Sequence, residues 1–158
     1  MRAALFGAVL LLFAGCGTKE LGPYRYVSLE RCEVAQPRDL GVEEVELPDY
    51  FVDDRFVYKD GEQLGYLEDR IARDPQEFLT RCAAKMLGAC GYPWECDKRP
   101  QKVVKIRIDE YYYDKERDAV VLVLEADGEM VRVEEPVRGD VITAALRAYK
   151  KAIAQIGR

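Results

Sequence analysis

The sequence predicts an α+β domain, a mostly antiparallel sheet with two amphipathic helices on one face, and three observations predict it. Two Asp-Gly pairs, Asp60-Gly61 and Asp127-Gly128, each sit between runs rich in strand formers. That is the pattern of a tight hairpin, because the turn needs positive φ and Asp and Gly tolerate it. Two later segments carry apolar residues at helical spacing. Hairpins dominate the order of elements, and two amphipathic helices can close one face of such a sheet.

Taken along the chain, Tyr24–Leu29 alternates in part and predicts a first strand. Residues 35–40 contain Pro37 and Asp39 and predict a loop. Val42–Leu47 predicts a second strand, closed by Pro48. Phe56–Lys59 and Glu62–Tyr66 are the arms of the first hairpin.

Asp74-Pro75 then opens a helix over 75–89, with Asp74 as cap and Pro75 at the first helical position. Phe78, Leu79, Cys82, Met86 and Leu87 give its apolar stripe, and Gly88 and Gly91 suit its end. Lys102–Tyr113 alternates through Val104, Ile106 and Ile108 as a long strand. Val120–Leu124 is apolar on both faces and predicts a central strand. Glu129–Val137 follows, with Pro136 ending it or placing it at an edge. From Asp140, the residues Ile142, Ala145, Leu146, Tyr149, Ile153 and Ile156 recur at helical spacing up to Gly157. Lys150 and Lys151 lie toward the end of that helix, where a cation suits its dipole.

The N-terminus is a different kind of segment. Arg2 is followed by an uncharged apolar run through Phe13. The run is shorter than the roughly 20 residues a bilayer span requires. It has the form of an export signal. Phe13-Ala14-Gly15-Cys16 resembles a lipobox, with Phe13 where Leu is usual. On that resemblance, residues 1–15 are a lipoprotein signal peptide and Cys16 becomes the lipidated first residue. Residues 16–23 are then a tether and 24–158 a periplasmic domain. Gly17, rather than Asp, after the cysteine favours the outer membrane by the sorting pattern of Gram-negative lipoproteins.

Composition narrows the function. The chain of 158 residues has a net charge of −5, which argues against nucleic acid as a partner. Residues 20–69 hold 14 acidic and 5 basic side chains, whereas 70–158 hold 15 and 17. That asymmetry reads as a solvated acidic face or a partner contact at one end. Histidine is absent, which removes His-based triads and metal sites. No phosphate-binding glycine loop appears, and no cofactor or metal site is expected.

Asp53-Asp54 and Glu134-Glu135 are paired carboxylates of the kind a hydrolase uses, but neighbours on a strand point to opposite faces. Tyr111-Tyr112-Tyr113 reads as edge packing with solvent-facing rings rather than as a stacking platform. With Cys16 set aside, Cys32, Cys82, Cys90 and Cys96 form an even set. Three connectivities are open. Cys90–Cys96 with Cys32–Cys82 is favoured, because Gly91 and Pro93 ease a local loop; a metal site and free buried thiols are the other options.

The stretch Val45-x-Leu47-Pro48-x-Tyr50 with Phe51, then Phe56–Lys59, Tyr66, Val103–Ile108 and the last helix, resembles the ABC-type transport auxiliary lipoprotein family, the Pqi type. The four extra cysteines depart from its pattern. The resemblance implies a non-enzymatic outer-membrane lipoprotein, with its domain in the periplasm. Its role would be auxiliary or docking, within an MCE/ABC-type system that moves lipid between membranes. The implied partners are an MCE-domain protein and the membrane through Cys16, with phospholipid and further copies of the chain left open. Another envelope-assembly lipoprotein, in outer-membrane protein or lipopolysaccharide export or with a TolB-like domain, is the alternative. A periplasmic hydrolase stands third.

Overall fold

A computed structural model describes residues 26–158. Its strands are β1 (Leu40–Val42), β2 (Arg55–Asp60), β3 (Gln63–Arg70), β4 (Lys102–Val104), β5 (Ile106–Asp114), β6 (Ala119–Ala126) and β7 (Glu129–Pro136). Its helices are α1 (Pro75–Leu87) and α2 (Val141–Ile156). The five-stranded sheet has the order β3-β2-β5-β6-β7, and β1 pairs with β4 in a separate two-stranded sheet. The result is a single α+β domain with a mostly antiparallel sheet, as the hairpin signals predict.

Both hairpins form, through different turns. Asp60 pairs with Gln63, so Gly61 and Glu62 are the central residues. Only Gly61 has positive φ, +59°, the requirement of a II′ turn. In the second hairpin Ala126 pairs with Glu129, leaving Asp127 and Gly128 central, with φ of +50° and +86°. Both are positive, as a I′ turn demands. Pro136 closes β7, which is an edge strand, so its missing N–H costs no ladder bond.

Both helices are capped as expected. Asp74 accepts from Glu77 N at 3.0 Å and Asp140 from Thr143 N at 2.8 Å. Gly88 ends α1 at φ +70°, where any side chain would also meet the carbonyl of Gln36. The last turn of α2 carries no basic residue, so Lys150 and Lys151 do not serve its dipole. They pair sideways instead, with Glu33 and Glu135.

Helix α2 lies on the sheet with its small residues inward. Ala144, Ala145, Ala148 and Ala152 are fully buried, so its backbone comes close, and Leu146, Tyr149 and Ile153 fill the space between. Each large apolar side chain buried this way stabilises the fold by about 1.5–3 kcal/mol before entropy is counted. Two buried tyrosines tie the layers: Tyr111 Oη donates to Ala145 O at 2.6 Å, and Tyr149 Oη donates to Leu79 O at 2.7 Å. The first joins β5 to α2 and the second joins α2 to α1.

Three strand expectations are corrected. Residues 26–28 form no strand; Val27 N makes one bond, to Ile71 O, and a 3-10 turn follows at Leu29–Arg31. Residues 24 and 25 lie outside the described residues. The strand expected over Val42–Leu47 ends at Val42. Helix α1 takes the next polar groups: Thr80 Oγ1 accepts from Val45 N at 2.9 Å, and Gln76 Nε2 donates to Val45 O at 2.8 Å. The segment then returns to β5, where Glu46 N donates to Ile106 O and Ile108 N to Glu46 O. The long strand over 102–113 breaks at Lys105 into β4 and β5, because its first part pairs with β1 and its second with β2 and β6.

Candidate functional site

The carboxylate pairs separate as neighbouring residues should. Asp53 accepts from Arg55 N at 2.8 Å and Arg55 Nε at 2.9 Å, and Asp54 pairs with Arg70. Hydrogen bonds from these arginines hold both carboxyls below the usual range. Glu134 reaches Arg117 at 3.2 Å on the surface. Glu135 is buried and bound by Arg147 Nε at 3.0 Å and by Lys151. Burial pushes its carboxyl up, but the bonds from Lys151 and Arg147 outweigh that and hold it low. A general acid needs a raised carboxyl, whereas those of Asp53, Asp54 and Glu135 are held low. Among the described residues no three acidic or cysteine side chains converge as a metal site.

Val45, Leu47, Pro48 and Tyr50 form a splice rather than a binding face. Val45 is fully buried and shared with α1 as described above, and Leu47 packs at the margin of the core. Pro48 O accepts from Phe51 N at 2.9 Å and turns the chain. Tyr50 Oη then accepts from Tyr111 N at 2.7 Å, beside a bulge in β5 between Ile108 and Glu110. Burial pushes the Tyr50 hydroxyl up to about 12. Tyr111 itself is fully buried, packed edge-on to Phe56 with ring centroids 5.1 Å apart. The expectation of edge packing for the three tyrosines is therefore corrected at Tyr111: β5 is the middle strand of the sheet, and its inward residue is core.

The cysteines divide between two bonds, Cys32–Cys82 and Cys90–Cys96, each with Cα atoms 5.5 Å apart, an ordinary spacing for a disulfide. Cys32 and Cys82 are buried under α1. Cys90–Cys96 closes a surface loop whose other supports are unusually many. Val42 N donates to Gly91 O at 2.9 Å and Cys90 N to Leu40 O at 3.0 Å, fastening the loop to β1. Arg81 of α1 donates to both oxygens of Glu95, at 3.2 and 2.9 Å, and its guanidinium lies 5.1 Å from the centre of the Tyr92 ring. Glu95 in turn accepts from Tyr92 N. Arg81 holds the Glu95 carboxyl below its ordinary range.

This framework presents Trp94. The indole stacks on the buried Tyr92 with centroids 4.5 Å apart and planes 15° from parallel, yet Trp94 remains 73% exposed. A large aromatic fixed in place and left in water is the composition of an interface anchor. Sequence reasoning saw the loop but not that Trp94 stands exposed on it. The available signal was the one tryptophan of the chain set within a six-residue cysteine spacing. Cys16, the residue expected to carry lipid, lies outside the described residues. Among the described residues no helix is long and apolar enough to cross a membrane.

No family model and no curated protein matches the sequence. Solved structures do. A crystal structure of an uncharacterized protein is similar over 84% of this chain and 95% of its own, with a TM-score of 0.59 and 16% identity. A crystal structure of a Xanthomonas campestris protein assigned to the family DUF330 is similar over 85% of this chain and 87% of its own, with a TM-score of 0.56 and 13% identity. These findings overturn the resemblance to the ABC-type transport auxiliary family: no model of any family matches, and the family named among these neighbours is DUF330. At such low identity, what this chain shares with both structures is their fold.

Proposed function

We propose that this protein is a non-enzymatic lipoprotein, anchored in the outer membrane through Cys16, whose domain docks an envelope complex on the periplasmic side. The observation that carries the docking role is Trp94, held exposed by a disulfide, a two-bond Arg81–Glu95 pair and a stacked tyrosine. Such rigidity lowers the entropy lost on binding. The anchoring rests on Phe13–Cys16 and the apolar run before it. The two disulfides suit an oxidising compartment. The partner we propose is a periplasmic protein of an envelope complex, met by the anchored domain at the outer membrane.

Two measurements test this. Metabolic labelling with a palmitate analogue should mark the native chain and not Cys16→Ala, with the label in the outer-membrane fraction. A photoreactive residue in place of Trp94 should cross-link a periplasmic protein of an envelope complex in whole cells, and no cross-link would remove the docking role. A cross-link to an MCE-domain protein would assign the docking to lipid transport, and one to outer-membrane protein or lipopolysaccharide export machinery would assign it to assembly. Failure of Cys16 to take up label would remove the anchor.

A further inference from the structure

A cavity of about 770 Å³ lies at the start of the described chain, between Tyr26–Arg31, the end of β3 and the first turn of α2. We propose that it binds a zwitterionic phosphoethanolamine group. The volume is that of a small-molecule site, and the charges in its wall choose the ligand.

Two arginines line it, but they differ. Arg70 is engaged by Asp54. Arg31 is exposed and makes no ion pair among the described residues. Ser28 lies three residues before it; its Oγ accepts from Glu30 N at 3.2 Å, which leaves the O–H hydrogen free to donate. Arg31 and Ser28 together supply a cation and a donor for a phosphate oxygen.

The carboxylates also differ. Asp140 is committed to capping α2, accepting from Thr143 N at 2.8 Å and Thr143 Oγ1 at 2.6 Å. Glu68 and Asp69, at the end of β3, form no ion pair among the described residues and border the same cavity. Neighbours on a strand point to opposite faces, so one carboxylate of this pair is left to meet an ammonium. Val27 and Ile142 give the wall its apolar part, suited to the carbon stem of a glycerol ester. With one available cation matched by one available carboxylate, the wall suits a zwitterion better than a ligand of net negative charge. It thereby separates phosphoethanolamine from phosphoglycerol.

The proposal rests on the lipoprotein reading in one respect: the source of the ligand. From Cys16 to Tyr26 are ten peptide steps, at most roughly 35 Å of extended chain. An anchored domain therefore keeps this cavity within reach of phospholipid headgroups.

The experiment uses the lipidated protein in mild detergent, with amide shifts read at Ser28, Arg31 and Thr143. Glycerophosphoethanolamine should move all three, and glycerophosphoglycerol and inorganic phosphate should not. Arg31→Gln, and separately Glu68→Gln with Asp69→Asn, should each weaken the response about tenfold. These side chains are on the surface, and unchanged amides elsewhere verify the fold. Nanodiscs containing phosphatidylethanolamine should reproduce the shifts if the group is a lipid headgroup; a response to the soluble ester alone assigns the site to a soluble phosphoethanolamine compound. No shift with the soluble ester, an equal response to glycerophosphoglycerol, or variants that bind as well as the native chain would each overturn the proposal. Because the soluble ester needs no anchor, failure here leaves the Cys16 reading untouched, and loss of the anchor leaves this result standing.

Discussion

Helices α1 and α2 solve the same problem in different ways. Helix α2 lies on the five-stranded sheet and buries an unbroken apolar face, with Ala144, Ala145, Ala148, Tyr149, Ala152 and Ile153 wholly inaccessible. Helix α1 has no such sheet beneath it. It rests on α2, on the short β1 and on the 42–51 splice, and it is fastened by cross-links: Cys82 to Cys32, Arg81 to Glu95, Thr80 and Gln76 to Val45. Both faces are buried, and the difference teaches that covalent and polar fastening gathers on the helix that has no sheet beneath it. It also places the loop that carries the exposed Trp94 on the fastened side.

The comparison can be broken at four points. The largest effect is expected from Cys32→Ser with Cys82→Ser. Closing a span of 50 residues is worth about 4 kcal/mol by chain entropy, and chemical denaturation should show most of that loss. If the loss is under about 1 kcal/mol, α1 is held by packing alone. Next, Ile153→Ala should cost about 3 kcal/mol by opening a cavity under α2. A smaller cost would mean that the α2 interface is looser than its burial implies.

Glu135→Gln tests the polar tie between β7 and α2 and should cost about 1 kcal/mol at neutral pH. Its carboxyl is lowered from 4.5 in the folded chain. Its contribution is therefore complete above that value and is lost as pH falls through the folded one. The acid side of the stability–pH curve should flatten in the variant, as followed by thermal unfolding between about pH 3 and 6. The smallest effect on stability belongs to Trp94→Ala, within about 0.5 kcal/mol, because that residue stands mostly in water. Cross-linked or co-purified partner should nonetheless fall sharply, which would separate recognition from folding on the fastened side.

Local chemistry made much of this fold readable. The Asp-Gly turns, the Asp74-Pro75 start and the Asp140 cap each act within four residues, and all three formed where expected. Even there, register decided the turn type: one residue of slip makes Gly61 the first central residue of its turn and Gly128 the second of its own. What was not readable is nonlocal. Nothing near Val45 announces that Thr80 will take its N–H, and nothing in the alternation across Lys105 announces two different partners. The parallel pairing of Tyr58 with Tyr113 joins residues 55 positions apart. Tyr111 looked peripheral because it stands near the end of a strand, before a charged turn; its burial follows from the place of β5 in the sheet order. Arg31, Glu68 and Asp69 had no signal at all, since only the closed fold sets them around one cavity.

The disulfide pairing has a consequence for how the chain is made. The bonds join the first described cysteine to the second and the third to the fourth. A polypeptide is delivered N-terminus first, so each cysteine that needs a partner meets the correct one next in line. An oxidase that joins thiols strictly as they appear produces the native bonds, and no shuffling catalyst is required to undo a wrong pair. Acylation of Cys16, on the anchoring proposed above, would complete the scheme by withdrawing the earliest thiol before it could intrude. The domain would then mature correctly under plain oxidation, in a compartment where isomerases are scarce as well as in one where they abound.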